Sequence, residues 1–492
     1  MVTFVAARVG SELASRSREV MHVAGRLNAF VIHVVVSPLV AWLVWWVLIG
    51  ACTAAVWWLL ARAPATNGHG HVYGIRRYAR LIALLVIIHS VHGAVQWQRL
   101  ANPQTGEFSG VAYARSDPHG DAATSATGRS ATTLVVEVGG ENFRLVARGS
   151  VRGALHGVRM GDALLIDATR TAHDPRRLRF VAGRHVQGDL REVTVHSTAR
   201  SLAPWHLAAN RVHQVIEHGS RVMHEYDASL VRGLVLGDES RQPSRMTEAF
   251  RAAGLGHLLA VSGQNVVLLL AALTPGLERL TRWWRLTTAL GIVAMFALVT
   301  RLESSVIRAC VMAAVVQVGF AIGRDVTPLR ALALTVTSIV TIDPLATWSI
   351  GFVLSVAATA GLVVITPWLG ESVFAATVAA QFAVAPFVLW WFGSIPSISL
   401  ITNLLAVPVA SFVMVAAPVL LGVAAFANDT FAGLLAWPVA AAVRWVWWVA
   451  EWGTRLALPV WANLLSWVVI VMLAIRRVVV GVRTGTHPRA RL

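Results

Sequence analysis

The sequence contains no lysine; all 42 of its basic residues are arginine. That absence excludes a phosphate-binding loop of the Gly-x-x-x-x-Gly-Lys type, whose lysine reaches the terminal phosphates of a nucleotide. Cysteine is nearly absent too. Cys52 and Cys310 lie far apart in apolar runs, so they read as small buried hydrophobes and not as a metal or redox motif. Charged residues make up only 14% of the chain, against 56% hydrophobic, where ordinary soluble domains are about 45–50% apolar. A soluble enzyme of 492 residues would alternate charged and apolar faces along its length, and that class is excluded. No short apolar core followed by a small-residue cleavage site appears near the start, so residues 1–26, with Arg8, Arg16, Arg18 and Arg26, read as an uncleaved cytoplasmic tail.

What is present is strongly basic. Arginine exceeds the 25 acidic residues to give a net charge of +17. On a chain with many apolar runs this predicts anionic contacts, either lipid headgroups or nucleic acid.

The chain divides by composition into six segments: 1–26, 27–97, 98–200, 201–257, 258–477 and 478–492. Residues 27–97 carry N-terminal transmembrane helices, with a long block at Leu27–Ala61 and a span near Leu81–Trp97. Residues 98–200 change character. Short alternating runs at Thr132–Val138, Phe143–Arg148, Ala163–Ala168, Leu178–Val186 and Arg191–His196 predict strands. Turn signals such as Gly139-Gly140 and Gly161-Asp162 separate them, so a small OB-like β domain is expected. Residues 202–234 place Trp205, Val212, Val215, Ile216, Met223, Tyr226, Leu230 and Leu234 at three- and four-residue spacing. This predicts an amphipathic helix in the membrane interface or against the bundle, with His206, His213, His218 and His224 as polar-face residues rather than metal ligands.

From Leu258 onward nine further apolar segments centre near residues 266, 293, 313, 335, 357, 384, 412, 440 and 469. Basic loops at Arg279–Arg285 and Arg324–Arg330 and the basic tail 478–492 are assigned to the cytoplasm by the positive-inside rule. The β domain is then extracytoplasmic, and the Leu27–Ala61 block must be a hairpin. The fold class is a polytopic α-helical membrane protein of about twelve spans with an inserted β domain.

Chemistry concentrates where the second group of apolar segments begins. Leu234–Asp238 and Gly254–Asn265 place four glycines and the side chains of Asp238, His257, Ser262 and Asn265 at the start of a membrane helix. Polar groups entering hydrocarbon need a partner or a wet cavity. Ser262 and Asn265 share a helical face, and Gly256, Ala260 and Gly263 permit close approach of a neighbouring helix or of a substrate.

These residues resemble the ComEC-type competence family, which conducts single-stranded DNA across the inner membrane during natural transformation. Gly237-Asp238 with the His257–Gly263 run resembles the family signature. Ser305–Ala309 resembles its Ser-x-x-Arg-Ala segment, Phe352–Ser355 its Phe-x-Leu-Ser segment, and Pro386, Phe392-Gly393 and Asn403–Pro408 its later elements. Asn265 stands where many members carry a second histidine, and Val353 where many carry glutamine. Many members also carry a C-terminal metallo-β-lactamase-like domain, and its His-x-His-x-Asp-His motif is absent from this sequence.

The resemblance implies an ssDNA path past Asp238, His257, Ser262, Asn265, Arg301, Ser305, Arg308, Phe352, Ser355, Gln381 and Asn403, with no catalytic residue, metal or cofactor. Arg301, Ser305 and Arg308 lie four and three apart, as a stripe on one helix, and Arg308 should either pair with Glu303 or Asp325 or face a wet cavity. Expected partners are single-stranded DNA, the lipid bilayer, an external DNA receptor, a separate nuclease and a cytoplasmic helicase-like ATPase. Whether one protomer or a homo-oligomer forms the pore is open. Two other functions stand beside the channel: a membrane-embedded hydrolase or lipid-processing enzyme built on Asp238, His257 and Ser262, and a small-anion transporter.

Overall fold

The computed structural model describes residues 71–120, 131–155, 157–259, 262–370, 372–393 and 395–456, with isolated positions between 462 and 476. The 1–26 tail, the Leu27–Ala61 block, Cys52, the 478–492 tail and most of the segment near residue 469 lie outside the described residues.

Helix α1 (His71–Ala101) leads into six strands: β1 (Gly106–Ala114), β2 (His119–Gly120), β3 (Thr132–Val138), β4 (Glu141–Ala147), β5 (Ala163–Ala172) and β6 (Val186–Ala199). In β3 and β4 every second residue is buried, which sends Leu134, Val136, Val138, Phe143, Leu145 and Ala147 into one core. The strands run β1-β5-β6-β4-β3 and close where β1 pairs with β3, while β2 extends β3 outside the ring. Only β4 and β6 run parallel among these pairings. A closed five-stranded barrel of this connectivity is compatible with the OB class. Arg144 grips Asp189 across the parallel pair, Nε to Oδ1 at 2.7 Å. Burial raises the Asp189 pKa, but hydrogen bonds from His173 and Arg144 outweigh it and pull the carboxyl down to about 2.

Two sequence expectations change within this domain. Strand β1 escapes the alternation search because Gly106 and Gly110 interrupt its side-chain pattern. Leu178–Val186, expected as a strand, is instead a helical turn at Pro175–Val181 followed by a 3-10 turn at Ala182–Arg184. Pro175 opens the helix, and Leu178 and Ala182, one turn apart, bury against Trp97 and Leu100 of α1 and against Leu345 and Trp348. This small cluster seats the barrel on the helical body.

The helical body comprises α2 (Pro204–Gly219), α3 (Glu225–Leu236), α4 (Ser244–Ala252), α5 (Gly263–Leu277), α6 (Arg282–Val299), α7 (Ser304–Ala321), α8 (Pro328–Ile342), α9 (Ile350–Val364), α10 (Val373–Phe392), α11 (Ser399–Ala424) and α12 (Asp429–Arg455). Helices α5 to α12 coincide with the first eight apolar centres read after Leu258. Five of them, α6, α7, α10, α11 and α12, are long and apolar enough to cross a membrane. Helices α5, α8 and α9 have 15 residues each, about 22 Å at about 1.5 Å per residue, shorter than a bilayer core of about 30 Å.

The amphipathic segment at 202–234 is two helices, not one. The chain breaks between Gly219 and Glu225, and every residue of α3 from Asp227 to Leu236 is buried. Helix α3 therefore belongs to the protein core, packed with α11 and α12 through Leu230, Val231 and Leu234. His213, expected on a wet face, is 2% exposed and hydrogen-bonds the Val299 carbonyl through Nε2 at 2.7 Å. Amphipathic periodicity identifies one apolar face, but it does not reveal that a second element covers the polar one.

Candidate functional site

The Gly237-Asp238 pair ends α3. Gly237 adopts φ 75°, a left-handed conformation that costs an L-residue about 1–2 kcal/mol. Its amide donates to the Gly233 carbonyl and the Asp238 amide to the Arg232 carbonyl, a double closure of the helix end. Asp238 then accepts from the Ser240 amide at 3.0 Å, which turns the chain toward α4. Burial raises the Asp238 pKa, but the Ser240 bonds and the charges of His213 and Arg232 outweigh it, so the carboxyl ionises more easily than usual. Asp238 thus orders the loop beside the barrel, where Gly120 lies against the Ser240 carbonyl.

The signature segment continues through a single helical turn, Gly256–Leu259, into α5. Leu258 and Leu259 are buried, whereas His257 is exposed. The Ser262 hydroxyl donates to Asn265 Oδ1 at 3.0 Å, and Asn265 Nδ2 donates to the Leu234 carbonyl at 3.3 Å. Gln264 donates to Ser411 on α11 at 3.0 Å. The start of α5 is therefore a hub joining α3, α7 and α11.

Its contact with α7 depends on Gly263. A Cβ there would lie 2.5 Å from Arg308 Nη2 and 2.9 Å from the Ala309 Cβ. Only a glycine lets the guanidinium pack against the helix backbone. Arg308 is 6% exposed inside a candidate membrane span. It donates from Nε to Ser355 Oγ at 2.7 Å and from Nη1 to Met312 Sδ at 3.6 Å. Three segments far apart in sequence, the His257–Gly263 run, Ser305–Ala309 and Phe352–Ser355, thus converge on one buried cation.

The acidic partners expected for Arg308 are not there. Neither Glu303 nor Asp325 pairs with it, and no carboxylate does so among the described residues. The physical reason is local: α7 begins at Ser304, which leaves Glu303 at the N-cap one turn outside, and Asp325 follows the far end of the same helix.

The three-residue stripe also breaks. Arg301 and Leu302 take left-handed φ values of 58° and 57°, so Arg301 leaves the helix before α7 starts. Its Nε instead meets Asp117 Oδ2 at 2.8 Å, with the two side chains 12% and 14% exposed. Asp117 follows β1 in the barrel, and its other oxygen accepts from the Met160 amide at 2.8 Å. Arg301 therefore fastens the helical body to the barrel, while Ser305 and Arg308 remain one turn apart on α7. Sequence periodicity does not reveal Asp117, because the glycine-interrupted strand that positions it shows no clear alternation. Nearby, desolvation and the Arg301 charge lower the His213 pKa, so this imidazole stays neutral more readily than usual.

The other residues scatter. Phe352 is 1% exposed within an apolar cluster with Leu332, Val336 and Val340. Gln381 is half-buried on α10, and Asn403 is buried on α11 with an unpartnered Oδ1. Asp238, His257 and Ser262 are not joined by hydrogen bonds: Ser262 serves Asn265, and Asp238 serves the Ser240 amide.

Comparison with known proteins comes to the same residues. A family model described as Competence protein matches residues 234–483, just over half of the 492 residues. ComE operon protein 3 of Bacillus subtilis (strain 168) is 28% identical over 192 residues, 37% of this chain and 25% of that relative. The alignment thus spans a quarter of the relative's own length. No solved structure matches the chain.

Proposed function

Because the chain belongs to the competence protein family, we propose that it conducts single-stranded DNA across the inner membrane during DNA uptake. A role in DNA uptake follows from the family. The conduit itself is our reading, and the buried Arg308 carries it. A guanidinium inside a candidate membrane span, with a hydroxyl and a thioether for partners and no carboxylate among the described residues, holds a positive charge that no described acid compensates. A passing phosphodiester supplies that compensation transiently, and the neutral Ser355 and Asn265 beside the route hold no anion permanently. Conduction needs such weak engagement, since a strand must leave as well as enter.

In this reading the chain crosses the membrane about twelve times, the barrel faces outside, and the arginine-rich loops face the cytoplasm. The chain acts as a conduit and not as a catalyst. An external DNA receptor delivers the strand, a separate nuclease removes its complement, and a cytoplasmic helicase-like ATPase or the proton gradient gives direction, since no phosphate-binding loop can form without lysine.

The test follows labelled DNA in cells whose only copy of the gene carries Arg308→Met. Surface binding should persist while internalised label falls to the level of a deletion strain. Unchanged internalisation defeats the reading.

A further inference from the structure

Several arginines of this protein are held by carboxylates. Around the barrel, Arg144, Arg159, Arg241 and Arg301 each meet a carboxylate. At the opposite end of α6 and α7 the arginines do not. These two helices form an antiparallel hairpin, so the N-terminus of α6 and the C-terminus of α7 lie together, and Arg285 on α6 stacks 4.3 Å over the Phe320 ring on α7. That end gathers Arg279, Arg282, Arg285, Arg324 and Arg330. Among the described residues none of the five forms an ion pair. The acids there, Glu278 and Asp325, are both exposed and leave a surplus of positive charge.

The cluster is ordered as well as charged. Stacking on Phe320 holds Arg285 in place, and its Nε is buried with no hydrogen-bond partner. Arg282 stacks 5.4 Å over Trp283. Trp283 and Trp284 are 59% and 69% exposed, directly between these two arginines. Indole rings prefer the headgroup level of a bilayer, where one edge stays apolar and the other meets water. The rings therefore set this end of the hairpin at the depth of lipid phosphates.

We propose that Arg282 and Arg285, with Arg279, Arg324 and Arg330 around them and Trp283-Trp284 as depth markers, form a seat for the phosphate of an anionic phospholipid headgroup. Cationic side chains interleaved with exposed indoles suit a lipid phosphate better than a nucleic acid, which would not need the rings at headgroup depth. The seat is independent of the conduit near Arg308 and stands or falls separately.

The full-length protein in phosphatidylcholine nanodiscs doped with phosphatidylglycerol provides the test. Lipid retained after a mild detergent wash should be enriched in phosphatidylglycerol over the bulk ratio. Arg282→Gln with Arg285→Gln should cut that preference by about thirtyfold, about 2 kcal/mol at 1.4 kcal/mol per decade, from about 1 kcal/mol per cationic side chain near an anionic surface. The same variant with lysine at both positions should keep most of it, which separates lost charge from lost folding. No enrichment in the wild type, or equal enrichment in the glutamine variant, overturns the proposal. So does displacement of the lipid by inorganic phosphate or by oligothymidine, which would assign the cluster to a free anion or to nucleic acid.

Discussion

The hydrogen bond between Arg308 and Ser355 makes opposite predictions for its two ends. In Ser355→Ala the guanidinium stays buried and loses its Nε partner at 2.7 Å. A lost hydrogen bond to a charged group costs about 1.5–3 kcal/mol. In Arg308→Met the same bond disappears, but so does a desolvated charge without a carboxylate, and methionine refills most of the arginine stem against Gly263 and Met312. The freed Ser355 hydroxyl can turn back to a carbonyl of its own helix. Replacing a whole buried ion pair with well-packed apolar volume is often neutral or stabilising, and removing an unpaired buried charge likewise relieves its desolvation cost. Serine removal should therefore destabilise, and arginine removal should leave stability level or higher while abolishing uptake. Tryptophan-fluorescence melts of the purified full chain in one detergent, at one heating rate, read both variants. A fall of about 3 kcal/mol or more for Arg308→Met, matching the loss from breaking a structural lock, would make Arg308 a fastener between helices and refute its role toward a substrate.

Other parts of the molecule carry predictions of their own. Breaking the nearly buried Arg301–Asp117 pair with Arg301→Gln should cost about 3–5 kcal/mol, the usual penalty for stranding a buried charge. Adding Asp117→Asn should recover part of it, as a double-mutant cycle on barrel protease sensitivity will read. Gly237→Ala forces a Cβ onto a residue at φ 75° and should cost about 1–2 kcal/mol, with Gly237→Asn costing less, measured by the same melts. His185 joins the barrel to Asp343 at 2.9 Å; burial lowers its pKa, but the Asp343 bond and charge outweigh that and raise it overall. A raised folded pKa means this stabilisation is complete below the unfolded value of about 6.5 and fades as pH climbs through the folded value. Protection of the Leu345–Trp348 amides, taken relative to the intrinsic exchange rate at each pH, should therefore be greater at mildly acidic than at mildly basic pH, and His185→Gln should remove that excess protection.

Much of the architecture is legible in the sequence. Strands β3 to β5 and the eight helices from α5 to α12 follow from period-2 alternation and from long apolar runs, both local signals. The errors share a cause. Leu178–Val186 reads as a strand because its apolar residues suit either period, and the helix wins only through packing against Trp97 and Trp348. Helix α3 reads as amphipathic because its polar residues, Asp227 and Arg232, hide the fact that other elements cover them. Arg301 reads as part of a helical stripe because spacing assumes helical φ, and two left-handed residues cancel that assumption.

By itself the sequence determined that this is an apolar, arginine-rich membrane chain with a small β domain, and its ordered motifs pointed to the competence family. Hydrophobic periodicity and short motifs depend on neighbours within a few turns, so they survive in one dimension. The tertiary structure alone decided which motif residues meet: Arg308 with Ser355 across 47 positions, and Arg301 with Asp117 across 184. It also decided that Phe352 is core and that Asn265 serves the Leu234 carbonyl. Such pairings depend on how separate helices pack and on where backbone φ changes sign. Residue spacing carries neither.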